Sequence, residues 1–354
     1  MLIGEFVNSL NADFFVGVPH SQLKALCDYL MNNYDSTHHI IAANEGNTVG
    51  IAAGYHLATN KIPVIYLQNS GQGNIINPVA SLINEQVYDI PAIFVIGWRG
   101  EPNFKDEPQH IFQGQITLQL LDVLNIKYLI VDENTSVDEI KSLQSMSRRI
   151  AYVIKKNALT YNNQIKFSNQ NKIIREEAIK HIIKVSGEDP IVSTTGKTSR
   201  ELFENRTEHS HDFLTVGSMG HTSSIAFGIA LNTDKKVWCI DGDGSMIMHM
   251  GALPVIGQSG VKNLSHIVIN NGSHESVGGF PTAAKNLNLS KIAEDCGYDK
   301  VACVDDFDSF DKELNLMKNF NGLCFLEIKT AIGSRKDLGR PSTSPQDNKI
   351  NFKK

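Results

Sequence analysis

Short apolar runs alternate with helical segments on both sides of a polar stretch near residue 165, and this double alternation constrains the fold of the 354-residue chain most. In the first half FFVGV, HHIIAAN, PVIYLQ, PAIFVIG and KYLIV read as strands, with helical spacing in LKALCDYLMNNY and VGIAAGYHLAT. Strands separated by crossover helices pair in parallel and are buried on both faces, so this half predicts a doubly wound parallel sheet. AYVIKK at 151–156 closes the block, and NALTYNNQIKFSNQNK at 157–172 has linker composition. The second half repeats the alternation with REEAIKHIIKVS, PIVSTT, FLTVG, SSIAFGIAL, KVWCIDGD, SHIVINN and CFLEIKT. The expected organisation is an α/β domain over 1–160, a linker over 161–175 and a second α/β domain over 176–354. The last twenty residues, RKDLGRPSTSPQDNKINFKK, are polar and are expected to order only against a ligand or partner.

A net charge of −5, from 33 Lys and Arg against 38 Asp and Glu, leaves no electrostatic footprint for nucleic acid. No basic-then-apolar leader and no run of roughly 18 apolar residues is found, which predicts a soluble cytoplasmic protein without a membrane partner. Cys27, Cys239, Cys296, Cys303 and Cys324 form no CxxC pair and are expected to be reduced core thiols.

The densest chemical signal is VWCIDGDGS followed by HIVINN. Gly242 and Gly244 allow the backbone to turn tightly and to approach a diphosphate, with Ser245 closing the motif. Asp243, at the C-terminal edge of a parallel sheet, is a hard oxygen ligand suited to Mg²⁺, and the next strand brings the amide oxygen of Asn271 beside it.

GDGS with NN about thirty residues on resembles the cofactor signature of the thiamine diphosphate enzymes. The resemblance implies bound thiamine diphosphate and Mg²⁺, with Asp243, Asn271 and the carbonyl of Ser273 as metal ligands. It also implies two thiamine-binding α/β domains, one for the pyrimidine and one for the diphosphate. AANEGNTVGIAAGYHLAT matches the pyrimidine motif, and its Glu45 would hold the aminopyrimidine ring and activate the cofactor. In FLTVGSMGHTSS, Gly217 belongs to the cofactor loop and Met219 would be the apolar wedge that keeps the cofactor bent. Because in this family one cofactor is held by domains of different subunits, a homodimer or a dimer of dimers is implied.

The length leaves no room for the middle domain of the larger family members. GVPHSQLKALCDYL, KDEPQHIFQGQITLQLLDVL, TTGKTSRELFE, NNGSHESVGGFPTA and GSRKDLGRPSTSP together resemble the phosphonopyruvate decarboxylases, with the sulfopyruvate decarboxylases as close relatives. The implied reaction is decarboxylation of a small anionic 2-oxo acid; acyloin-forming carboligation is the alternative outcome of the same chemistry. An anionic substrate calls for cations, and the candidates are Arg99, Lys197, Arg200, Arg335 and Arg340. His20, His110, His274 and Glu275 are the acid/base candidates. One departure stands out: the family's Gly-Val-Pro-Asp-Ser reads Gly17-Val18-Pro19-His20-Ser21 here, a base in place of an acid. TTGKT superficially resembles a nucleotide phosphate loop, but Ile191 occupies the position where that loop needs glycine.

Overall fold

The computed structural model describes residues 1–352 and divides into two compact units, Met1–Lys166 and Phe167–Lys354. The first unit is built on β1 (Phe15–Gly17), β2 (His39–Ile41), β3 (Val64–Gln68), β4 (Ala92–Gly97), β5 (Lys127–Val131) and β6 (Arg149–Ile154). Their order is β2-β1-β3-β4-β6-β5, and every pair is parallel. Val16, Ile65, Phe94 and Val153 fill the core, as expected for central strands covered on both faces.

The second unit holds β7 (Ile191–Ser193), β8 (Asp212–Leu214), β9 (Val237–Gly242), β10 (Leu264–Asn270), the short pair β11 (Ser273–His274) and β12 (Phe280–Pro281), then β13 (Lys300–Val304) and β14 (Cys324–Lys329). Its main sheet runs β13-β14-β10-β9-β7-β8, again all parallel, over a core of Trp238, Ile240, Ile267 and Leu326. There is no third unit between the two.

In each sheet the chain first reverses its direction of winding after its second strand, and reverses again at the far edge, where β6 inserts beside β5 and β14 beside β13. The first switch lies between β1 and β3 in the first unit and between β7 and β9 in the second. In open α/β sheets ligands bind outside the carboxyl ends of the strands at that crevice. GDGS starts at the end of β9, on one side of the second unit's switch point.

The polar stretch expected to be a linker is shared between the units. Tyr161 packs edge-on against Tyr29, and the Ile165 N–H donates to Asp28 Oδ1 at 3.4 Å. Past the division, Phe167 packs on Phe280 with ring centroids 5.4 Å apart, and Asn169 Nδ2 donates to the carbonyls of Asn271 (3.0 Å) and Thr330 (2.9 Å). Within the stretch the side chains of Tyr161, Asn169 and Asn171 are hydrogen-bonded to residues outside it. In the C-terminal tail the helix Pro345–Phe352 docks on β8. Asn348 accepts from the Leu214 N–H at 3.1 Å and donates to the Asp212 carbonyl at 2.9 Å, so its amide satisfies backbone groups of an edge strand. All five cysteines are free; Cys303 is exposed and Cys296 half-buried, so only Cys27, Cys239 and Cys324 are core thiols. No helix of the described residues is long and apolar enough to cross a membrane.

Candidate functional site

In the first unit the candidate side chains come from the ends of four strands, β1 to β4. Glu45 opens the helix Glu45–Thr59 just after β2, and the Asn44 side chain caps that helix by accepting the Asn47 N–H. The Glu45 carboxyl is buried, and Asn74 Nδ2 donates to its Oε2 at 2.7 Å. It lies directly on the backbone of Gly71, where a Cβ would fall 2.5 Å from Oε1. Glycine at 71 is thus a steric requirement for this placement of the carboxyl.

At the neighbouring strand ends, His20 follows β1, Gln68 ends β3 and Arg99 follows β4. His20 is 1% exposed, with its ring packed on Gly97 and its Nδ1 without a hydrogen-bond partner. Burial, followed by the positive charge of Arg99 and the nearness of His110, pushes its pKa down to about 3. His110 is pushed down to about 4, first by burial and then by Arg99, and Gln68 Nε2 donates to its Nδ1 at 3.3 Å. Both imidazoles are neutral at pH 7. Arg99 is engaged by Asp106 through Nε to Oδ2 (2.7 Å) and Nη2 to Oδ1. That fork-on-fork pair neutralises the cation in place.

The second unit's switch point carries GDGS. Asp243 is 3% exposed; Thr282 Oγ1 and the backbone N–H of Asn271 donate to its carboxylate. Even so, burial pushes its pKa up to about 6: the dry site opposes the anion and lacks a countercharge. Asn271 turns its Oδ1 to the Ser273 N–H (3.0 Å) and its Nδ2 to Glu275 (3.0 Å), with Gly272 between them in the left-handed region. Ser273 follows at once in β11, and its hydroxyl is buried and unpartnered.

The loop carrying Met219 is held in an unusual backbone path: Gly217, Ser218 and Gly220 all have positive φ, at 70°, 45° and 92°. Gly217 N–H donates to Thr195 Oγ1 (3.3 Å) and Gly220 N–H to Ser245 Oγ (3.1 Å), tying this loop to the ends of β7 and β9. Thr215 and Thr222, on either side of the loop, have buried hydroxyls without partners.

These features fit a magnesium diphosphate. A buried carboxylate without a countercharge, an amide oxygen two residues from a strand-end carbonyl, and orphaned hydroxyls form the hard oxygen-rich donor set that Mg²⁺ and phosphate oxygens require.

His274 lies against Gly244, and burial pushes its pKa down to about 4. Glu275 is differently placed from a free acid or base. Arg175 Nη1 (2.7 Å), Lys197 Nζ (2.8 Å) and Asn271 Nδ2 all donate to it, and although burial raises its pKa, Arg175 and Lys197 outweigh burial and hold it below the usual glutamate value. The other cation candidates separate clearly. Arg335 is committed to Glu176, Glu204 and Asp337, and Arg340 is exposed on the tail. Arg200 is partly buried on the helix Lys197–Asn205 and makes no ion pair among the described residues. Gly71, Asn74, Gln68, Asp106, Arg175 and Thr282 were not among the site candidates. Asp106 in KDEPQH, Thr282 in GGFPTA and Gln68 at the polar end of PVIYLQ carried a local signal; Gly71, Asn74 and Arg175 carried none.

Residues 2–122 match the N-terminal TPP binding domain of the thiamine pyrophosphate enzymes, and residues 194–328 match the C-terminal TPP binding domain. The chain is 30% identical to a phosphonopyruvate decarboxylase of Streptomyces viridochromogenes over 96% of its own length and 90% of that protein's. It is 29% identical to a phosphonopyruvate decarboxylase of Streptomyces hygroscopicus, over 98% and 90% of the two chains. A sulfopyruvate decarboxylase of Methanosarcina acetivorans is 26% identical over 99% and 95%. Two α/β units whose six-stranded sheets are all parallel, a strand-end donor set that fits a magnesium diphosphate, and relatives aligned along nearly the whole length agree: the chain belongs to the thiamine pyrophosphate enzyme family, in the group of the phosphonopyruvate and sulfopyruvate decarboxylases.

Proposed function

We propose that the protein is a carboxy-lyase that converts phosphonopyruvate to phosphonoacetaldehyde and CO₂, as a homodimer or dimer of dimers in which each cofactor is shared between subunits. The observation that carries the cofactor part is the buried, countercharge-free carboxylate of Asp243 beside Asn271 at the switch point of the second unit. Asp243, Asn271 and the Ser273 carbonyl would hold Mg²⁺, the Gly242–Ser245 turn the diphosphate, Met219 the bent ring system and Glu45 the aminopyrimidine. When bound, thiamine diphosphate supplies a carbon nucleophile and accepts the electron pair released as CO₂ leaves.

The chain's own residues handle charge and protons. Neutral His20, His110 and His274 add no positive charge for the substrate's anion. They suit proton relay, taking a proton at one ring nitrogen and passing one from the other to the carbon that CO₂ has left. Arg99 is masked by Asp106 and Lys197 by Glu275, so Arg200 is the cation most available to the phosphonate. Glu275 acts as a fixed anion in this reading.

The test is CO₂ release by the purified protein with thiamine diphosphate and Mg²⁺, offered phosphonopyruvate, sulfopyruvate and pyruvate separately, with the products identified. Preferred turnover of phosphonopyruvate to one aldehyde per CO₂ supports the proposal. Preference for sulfopyruvate moves the substrate assignment, and acyloin products in place of aldehyde replace the decarboxylase outcome by carboligation.

A further inference from the structure

Next to Asn271 sits a charge network that joins Lys197, Glu201 and Glu275 to Arg175, which no motif indicated. Arg175, the first residue of the helix Arg175–Ser186, grips Glu201 with Nε (2.7 Å) and Nη2 (2.8 Å), and its Nη1 reaches Glu275 Oε2 at 2.7 Å. Lys197 donates to the other oxygen of Glu275 at 2.8 Å. Two cations and two carboxylates thus cancel, with Arg175 and Glu201 buried. The free face of Glu275 accepts from Asn271 Nδ2 at 3.0 Å.

We propose that Arg175 and Glu275 are positioning residues for the divalent cation: Glu275 fixes the orientation of the Asn271 amide, and Arg175 fixes Glu275. An asparagine amide has two orientations related by a half-turn, and only one offers oxygen to a cation. Here the orientation is set from both ends, because Ser273 N–H requires an acceptor and the Glu275 carboxylate requires a donor. A half-turn would set Oδ1 against a carboxylate and Nδ2 against an N–H. The network also restrains Glu275 itself. A carboxylate this close to the cradle could compete for the cation, but Arg175 and Lys197 occupy its oxygens. Asn169 braces the same residue from behind by donating to the Asn271 carbonyl at 3.0 Å.

This inference rests on Asn271 being a Mg²⁺ ligand. The experiment titrates Mg²⁺ into EDTA-stripped protein at fixed thiamine diphosphate and follows cofactor binding by quenching of intrinsic fluorescence, for the parent, Glu275→Gln, Arg175→Lys and Arg175→Met. Glu275→Gln leaves the Arg175–Glu201 pair intact and so guards against misfolding, which thermal melts in EDTA monitor. Outer partners of metal ligands typically contribute tenfold to a hundredfold in metal affinity. We expect the Mg²⁺ midpoint to rise by about that factor in Glu275→Gln and Arg175→Met and less in Arg175→Lys, with excess Mg²⁺ restoring cofactor binding. An unchanged midpoint in Glu275→Gln and Arg175→Met overturns the inference, as does a loss that excess Mg²⁺ does not repair. If the parent shows no Mg²⁺-dependent binding, the cofactor reading fails and this inference with it, a result distinguishable by the parent alone.

Discussion

Replacing His20 by glutamine should remove about 3 kcal/mol of acid sensitivity from the first unit. The ring is 1% exposed and its pKa is pushed down to about 3, first by burial and then by Arg99 and His110, with Asp106 opposing. In the unfolded chain it titrates near the ordinary value of 6.5. A depressed folded pKa means that the unfolded chain binds the proton first, so the stability is complete above pH 6.5 and is lost as the pH falls toward 3. The loss is ~1.4 kcal/mol per pH unit in that window, or about 3 kcal/mol at pH 4.5. Glutamine has no titration there, so any constant cost of the substitution cancels between two pH values. Urea unfolding at pH 7.5 and 4.5, followed by Trp98 fluorescence in a Trp238→Phe background, isolates this unit because the chain has two tryptophans. The parent-minus-variant stability should fall by about 3 kcal/mol between the two conditions. A difference that stays constant with pH would refute the buried neutral imidazole.

Four further outcomes test the site and its supports. Glu45→Gln should keep Mg²⁺-dependent cofactor binding while turnover falls on the order of a hundredfold or more, measured as CO₂ release at saturating cofactor; Asp243→Ala should instead lose cofactor retention on gel filtration without added Mg²⁺. Gly71→Ala places a Cβ 2.5 Å from Glu45 Oε1, so the carboxyl must move; kcat should fall roughly tenfold to a hundredfold with thiamine diphosphate affinity changed much less. Asn348→Ala leaves the Leu214 N–H and Asp212 carbonyl without their side-chain partner; unfolding should show about 1–3 kcal/mol of destabilisation and faster proteolysis of the tail.

Features carried by neighbouring residues were legible in the sequence. PVIYLQ, PAIFVIG and KVWCI announce central strands because both faces are buried, and they became β3, β4 and β9. β13 was missed because it is an edge strand, half-exposed and built of Lys, Ala and Cys as well as valine. FLTVG was expected to run as a strand to Gly217, but β8 stops at Leu214 and positive φ angles begin at Gly217. In the site, GDGS and NN lie close in the chain because adjacent strands β9 and β10 bring their ends together, which a spacing rule captures. Arg175 meets Glu275 and Gly71 meets Glu45 only through tertiary packing, and no local spacing encodes those meetings. Cation candidates failed to separate for the same reason: Arg335 and Arg200 look alike as letters, and only the fold reveals that Glu176 and Glu204 hold the first.

The most direct test of the central claim is calorimetric titration of thiamine diphosphate into EDTA-stripped protein, with and without Mg²⁺. The account predicts saturable binding, one cofactor per chain, that requires Mg²⁺ and disappears in Asp243→Ala. Absence of binding, or equal binding without the metal, would contradict the assignment of the β9 and β10 strand ends as a magnesium diphosphate cradle.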